Sequence, residues 1–343
     1  MKPIIILDNH FRRCDELFCN ESFQKLASCY DIRGGEDHPM PRSRIEELLP
    51  LASYYVAAHP RLSATEIARS PNLKATIEVS GAFREGIDYA ACFDAGIEVL
   101  SCSPGFRNAV AEMTLAMILG SARGLIDEHE AFRTGSERWL DDRDTIDFTL
   151  YGQTVGFLGF GQIAQETKRL LAPFQTEILA YDPHLTDAGA NVTLTELETV
   201  VSRSRVVVVA AVPSEETRAL LSAELIAKLQ PNALVIVISR AWCVDFPALI
   251  AAAEAGRIKV ATDVYPDEPL ARDDSLRQAK NVILSPHRAA AVPGGRQLIG
   301  DMILHDIQAI EEQRPERQLK QADPDLVASL VAAQNAMQAM PNT

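Results

Sequence analysis

The glycines at 159 and 161 are the first residues whose types and spacing imply chemistry. In TVGFLGFGQIAQETKRLL, the strand-like run Thr154–Leu158 meets Gly159-x-Gly161-x-x-Ala164, and a helix-forming stretch follows. Gly159 permits a tight turn, Gly161 lets backbone N–H groups approach a pyrophosphate, and Ala164 is small enough for the helix to pack on its strand. Phe160, Gln162 and Ile163 complete the turn, where the helix N-terminus offers its positive pole to an anion. The next strand-like run, EILAYD, ends at Asp182, about 20 residues past the glycines. A carboxylate there can accept hydrogen bonds from the adenosine ribose hydroxyls and repels a 2′-phosphate. The pattern therefore points to NAD rather than NADP. Taken alone, Gly-rich turns also arise structurally, and Asp182 before Pro183 also suits a simple turn.

Three later segments each place a polar residue just past an apolar, strand-like run: SRAWCVDFPAL with Arg240 and Asp245, ATDVYPDEPL with Asp263 and Glu268, and NVILSPHRAA with Pro286 and His287. Upstream stand VPSEETRALL and SPGFRNAVAE. Singly, His287 reads as a surface histidine after a proline and Arg240 as a solvated strand-end charge. In this order, from about Leu73 to His287, the segments resemble the D-isomer-specific 2-hydroxyacid dehydrogenases. The resemblance implies hydride transfer between NAD and a small-molecule 2-hydroxy/2-oxo acid pair. His287 would be the acid–base group, a task suited to a side chain that titrates near neutral pH. Glu268 would orient it. Arg240 would clamp the substrate carboxylate with its planar, permanently charged fork. Pro213, Thr217, Ser239 and Asp263 would line the cofactor site, and no metal is implied.

Two departures from the family's pattern stand out. Ala241 and Trp242 follow Arg240 where a glycine is common; a packing role is expected of Trp242. The loop whose backbone N–H groups would hold the substrate carboxylate reads Ser80-Gly81-Ala82-Phe83-Arg84-Glu85. Ser80 and Gly81 keep its entry and Ala82 is a further candidate for the substrate, while Phe83, Arg84 and Glu85 replace smaller residues. Arg84 is a candidate for meeting a second anionic group of the substrate; a solvated Arg84–Glu85 pair is the plainer alternative. A same-scaffold dehydrogenase acting on another small anion, such as phosphite, and a non-enzymatic NAD(H)-sensing module are the rival readings. Glu268 and the Leu284–His287 segment disfavour formate as that anion.

Positioning these residues requires alternating strands and helices. Strand-like runs occur at Ile4–Leu7, Ser53–Ala57, Ala75–Val79 and Ile97–Leu100. A second series occurs at Thr154–Leu158, Glu177–Tyr181, Val206–Val209, Leu234–Ile238, Lys259–Thr262 and Val282–Leu284. Runs such as VVVVA and LVIVI read as strands covered on both faces, and helix-like segments lie between them. The expected fold class is α/β, with two Rossmann-like/flavodoxin-like lobes of parallel sheet and a cleft between them. A substrate-binding lobe takes 1–103 plus 290–320, an NAD-binding lobe takes 104–289, and 321–343 is a tail without an assigned role. Single helices are expected over Glu16–Cys29 and from Asn108 to about Thr134. The resemblance adds a homodimer joined through the Asn108–Leu150 region.

Composition narrows the partners. At 343 residues, with 47% hydrophobic and 23% charged residues, the chain reads as a globular protein of two domains. A formal charge of −14 disfavours nucleic acid and anionic membrane surfaces. The apolar run at Ile4–Leu7 is too short for a signal peptide core and reads as a buried strand, so a cytoplasmic location is expected. Six cysteines without C-x-x-C spacing suggest reduced thiols rather than a zinc site or disulfide framework.

Overall fold

The computed structural model describes residues 2–9, 12–83, 85–140, 146–324 and 327–328. The chain divides into two compact units, Met1–Arg107 together with the segment from Ala290, and Asn108–Ala289. The change of unit falls after Arg107 rather than after 103. The short 3-10 turn Ser103–Phe106 belongs to the first unit because a Cβ on Gly105 would lie 2.4 Å from Cγ1 of Ile299.

In the first unit, β1 (Ile4–Asp8), β2 (Asp31–Gly34), β3 (Ala52–Ala57), β4 (Ala75–Glu78) and β5 (Glu98–Ser101) form a sheet in the order β2-β1-β3-β4-β5. All these pairings are parallel. The two-residue strand Lys320–Gln321 adds an antiparallel edge beside β5. Alternation along the strands buries both faces. Ile5, Leu7, Tyr54 and Val56 pack with Ile299, Met302, Ile303 and Ile307 of the helix Leu298–Glu311. Ile6, Tyr55 and Ala57 pack with Ile45, Leu48 and Ile67. Each such large apolar side chain removed from water stabilises the fold by roughly 1.5–3 kcal/mol.

In the second unit, β6 (Thr154–Leu158), β7 (Glu177–Tyr181), β8 (Thr193–Leu194), β9 (Val206–Val209), β10 (Ala233–Val237), β11 (Ile258–Thr262) and β12 (Val282–Leu284) form a sheet in the order β8-β7-β6-β9-β10-β11-β12. Its pairings are all parallel. The strand order reverses between β6 and β9, and ligands of open parallel sheets bind outside the C-terminal strand ends at such a reversal. Val206–Val209 and Ala233–Val237 are buried at every position, as a strand covered on both faces must be.

Two expected helices are broken. The stretch over Glu16–Cys29 becomes Cys14–Leu17 and Asn20–Cys29. Phe18 between them is extended, which buries its ring in the core, and Cys19 caps the second helix through Ser22 N–H. The stretch after Asn108 becomes Arg107–Ala122 and Leu125–Thr134, bent by 55°. The bend sits at Gly124, whose φ of +59° lies in the left-handed region where a helix cannot continue. Among the described residues no single helix is long and apolar enough to cross a membrane. The second sheet has a seventh strand, Thr193–Leu194, beyond the six expected. Of the tail 321–343, residues 321–324 and 327–328 are described, and the rest lies outside the described residues.

Candidate active site

Because the second sheet is parallel throughout, every strand delivers its C-terminal residue to one edge. Gly159 follows β6, Asp182 follows β7, Pro213 lies four residues past β9, Ser239 and Arg240 follow β10, Asp263 follows β11, and Ser285 to His287 follow β12. The candidate residues of this unit, scattered over more than a hundred positions, therefore share that edge.

The glycine turn is dictated by space. Gly159 has φ +84°, and a Cβ there would lie 2.5 Å from Ala211 Cα and 2.7 Å from Ala211 N. Gly161, extended at φ −74°, precedes the helix Gln162–Leu171, and a Cβ there would meet nothing within 4 Å. The first-turn N–H groups of such a helix have no partner inside it. Gly161 and Gln162 are exposed and Ile163 half-buried, so this end is open to a ligand, while Ala164 is buried against the sheet. Phe160 is buried, its ring edge-on to Phe157 at 5.5 Å. Its N–H donates to Asp182 Oδ2 at 2.9 Å, and His184 N–H donates to Oδ1 at 3.0 Å. Asp182 is thereby oriented against the turn, with lone pairs left over for hydroxyl donors. A turn without room for a Cβ, an open helix N-terminus and a fixed acid fit NAD.

The neighbouring strand ends hold a linked set of polar side chains. His287 Nδ1 lies 2.5 Å from Glu268 Oε2, and Tyr265 N–H donates to Glu268 Oε1 at 2.9 Å. Burial pushes the Glu268 carboxyl up. The His287 hydrogen bond, the Tyr265 N–H and the charges of His287 and Arg240 outweigh that effect, and hold it below the usual carboxylate range. The imidazole is part-exposed, at 43%. The His287 backbone has φ +47°, a strained setting for a residue with a side chain.

Asp263 maintains that setting. It is 1% exposed, accepts Ser285 Oγ at 2.5 Å and Arg288 N–H at 2.9 Å on Oδ1, and accepts Ala289 N–H at 2.9 Å on Oδ2. Both its oxygens thus face the loop that carries His287. Ser285 and Tyr265, whose hydroxyl donates to Ser285 O at 2.9 Å, complete this scaffold. Sequence reasoning passed over both, since neither stands out from an ordinary loop serine or a core tyrosine.

Arg240 is exposed and extended, with Nη1 donating to Ser239 O at 2.7 Å. Thr217 closes the loop after β9: Ser214 N–H donates to its Oγ1 at 2.7 Å, and Oγ1 donates to Val212 O at 2.8 Å. Pro213 is part of that loop. Trp242 packs onto it, donating from Nε1 to Ser214 O at 2.8 Å beneath the Arg218 guanidinium, 4.0 Å from the ring centroid.

In the first unit, the loop after β4 has a different arrangement from the one its resemblance implies. The N–H groups of Ser80, Gly81 and Ala82 donate to the Glu78 carboxylate at 2.6, 2.8 and 2.7 Å. Glu78 is 1% exposed. Phe83 is buried in the core rather than directed at a ligand. Arg84 lies outside the described residues. Among the described residues no group of three or more histidine, cysteine or acidic side chains could hold a metal ion.

Comparison with known proteins shows the family. Residues 115–289 match the model of the D-isomer specific 2-hydroxyacid dehydrogenase NAD binding domain. A glyoxylate reductase of Thermofilum pendens is 29% identical over 83% of this chain and 86% of its own length. A D-3-phosphoglycerate dehydrogenase of Archaeoglobus fulgidus is 28% identical over 80% of this chain, which spans only 52% of that relative. The crystal structure of a phosphoglycerate oxidoreductase from Rhizobium etli superposes with a TM-score of 0.82 at 33% identity, covering 94% of this chain and 99% of that one. The strand order, the glycine turn and the matched segment lead to one conclusion: the chain belongs to the D-isomer specific 2-hydroxyacid dehydrogenases, NAD-dependent enzymes that act on a CH–OH group.

Proposed function

We propose that the chain interconverts a small 2-oxo acid of the glyoxylate or hydroxypyruvate type and its 2-hydroxy acid, with His287 as the proton-transfer group. The hydrogen-bonded Glu268–His287 pair, on the same sheet edge as the glycine turn, carries this reading. NAD, when bound, takes up or supplies the hydride. His287, with Nδ1–H committed to Glu268, presents Nε2 to the substrate oxygen and gives or takes its proton as charge develops there. Glu268, held ionised, fixes the ring orientation. Arg240 binds the substrate carboxylate through its guanidinium fork. Gly159, Phe160, Gly161, Gln162, Ile163 and Asp182 hold the dinucleotide. Pro213, Thr217 and Ser239 line its site, and Asp263 supports it through the His287 loop.

A homodimer belongs to the same reading. Leu125, Ile126, Phe132, Trp139, Leu140 and Tyr151 are exposed apolar side chains within one stretch of the second unit, more than a solvated surface usually gathers. The free thiols agree with a cytoplasmic location.

An NADH-oxidation screen against glyoxylate, hydroxypyruvate, pyruvate and branched and acidic 2-oxo acids tests the activity. Turnover with at least one is expected. Tight NADH binding without turnover of any would indicate a sensor and contradict the reading.

A further inference from the structure

The loop that leaves β9 carries Pro213 and Thr217, yet much of it lies on the surface: Val212 is 62% exposed, and Glu215 and Glu216 are exposed. A surface loop samples many shapes unless something holds it. Here the hold comes from the next strand. The 3-10 turn Ala241–Cys243, which follows β10, is laced to residues 211–221 along their length. Cys243 Sγ donates to Ala211 O at 3.6 Å, Ala219 N–H to Trp242 O at 2.9 Å, and Leu221 N–H to Cys243 O at 3.0 Å. Ala219 has φ +47°, a left-handed setting that a residue with a Cβ keeps only where its surroundings enforce it. One tie in this lacing comes from a side chain that reaches as far as Pro213's neighbour. Trp242 is half-buried, its ring packed against the core of the second unit. Its Nε1–H donates to Ser214 O at 2.8 Å, inside the turn that Thr217 closes through Ser214 N–H. The Arg218 guanidinium lies 4.0 Å from the ring centroid, and its Nη2 donates to Glu215 Oε1 at 3.2 Å. The indole is thus tied to the loop at residues 214 and 218, and its single donor proton is spent on the loop. Every group named belongs to the second unit.

We propose that Trp242 is a cofactor-positioning residue, which holds residues 212–217 in the shape in which Pro213 and Thr217 meet NAD. A loop already in its binding shape loses less freedom when the dinucleotide arrives, and affinity falls in proportion as that shape becomes less populated. Core packing alone needs only an apolar ring at this position. The Nε1–H adds a directional tie to Ser214 O, so its removal loosens the loop while leaving the ring in place. Proton transfer at His287 does not depend on it. The inference rests on the reading of Pro213 and Thr217 as lining the NAD site.

Trp242→Phe removes the N–H and keeps a ring beside Arg218. Calorimetric titration with NADH is expected to give a Kd raised roughly fivefold over the wild type, the worth of one neutral hydrogen bond. KM for NADH should rise with it, while kcat at saturating NADH and KM for the 2-oxo acid keep their wild-type values. Trp242→Ala, which also removes the ring, should raise Kd further; the phenylalanine variant decides if the alanine variant does not fold. Thr217→Val opens the same loop at its other closure and checks the reading beneath the inference; it too should weaken NADH. Weakened NADH in Thr217→Val with a wild-type Kd in Trp242→Phe would keep the loop at the cofactor and overturn the role of Trp242. Wild-type Kd in both variants would remove the loop from the cofactor site, and the inference with it. A lower melting temperature in Trp242→Phe at unchanged Kd would make the indole an ordinary packing group. A fall in kcat at unchanged Kd would equally contradict the proposal. The Kd readings need no turnover, so they hold whichever 2-oxo acid is the substrate.

Discussion

Asp263 and Glu268 stand five positions apart and serve His287 in different ways. Glu268 meets the imidazole, whereas Asp263 meets the backbone that carries it. Asp263→Ala is expected to lower stability by about 3 kcal/mol or more, because two buried donors and one part-buried donor lose their acceptor at once. Urea unfolding checks this, and a loss within error would remove Asp263 from the scaffold. Glu268 adds a pH signature. Its folded carboxyl titrates below the usual range, so between the two values the unfolded chain holds the extra proton and stability rises with pH. The contribution is complete above the ordinary carboxylate range, and drains as pH falls through the lowered folded value. Urea midpoints taken from about pH 7 to about pH 3 should therefore fall less steeply in Glu268→Gln than in the wild type. Parallel curves would contradict the assignment. At this scale the sequence proposed the site residues through their motif order, because residue type alone could not separate His287 from a surface histidine. Glu78 was illegible: the last residue of a buried strand gives no sign that its side chain will turn onto the following loop.

Among the elements, the glycine turn separates two roles that its motif merges. Gly159→Ala places a Cβ against the Ala211 backbone at positive φ, and should cost roughly 1–3 kcal/mol through strain and overpacking. Gly161→Ala meets open space, so stability should hold while NADH affinity falls, since the added methyl stands where a pyrophosphate must approach. Thermal melts paired with NADH titration separate the two, and a destabilised Gly161→Ala would contradict this division. The strands of the second sheet were legible as unbroken apolar runs, within a residue or two at each end. β2 and β8 were not, because Asp31–Gly34 and Thr193–Leu194 are short and polar edge strands that present no such run. The two broken helices were read as continuous because their apolar spacing continues through the break. Gly124 and Phe18 end them through local geometry that periodicity does not register.

For the whole molecule, the two sheet orders explain why one chain carries two α/β units and why the candidate residues of the second unit gather at one edge. That edge was anticipated from the run of strands, but the convergence of Arg240, Glu268 and His287 upon it depended on the family resemblance. Assembly is the open consequence. If the exposed stretch around Phe132 and Trp139 is a dimer surface, Phe132→Asp together with Trp139→Asp should convert a dimer to a monomer in sedimentation equilibrium; an unchanged mass would place the contact elsewhere. The central claim is that His287 moves the proton, and it is tested most directly by His287→Ala assayed for NADH-dependent 2-oxo acid reduction alongside NADH affinity. The account predicts turnover lowered by about 10²–10⁴-fold with NADH affinity nearly unchanged. Normal turnover with weakened NADH binding would contradict it.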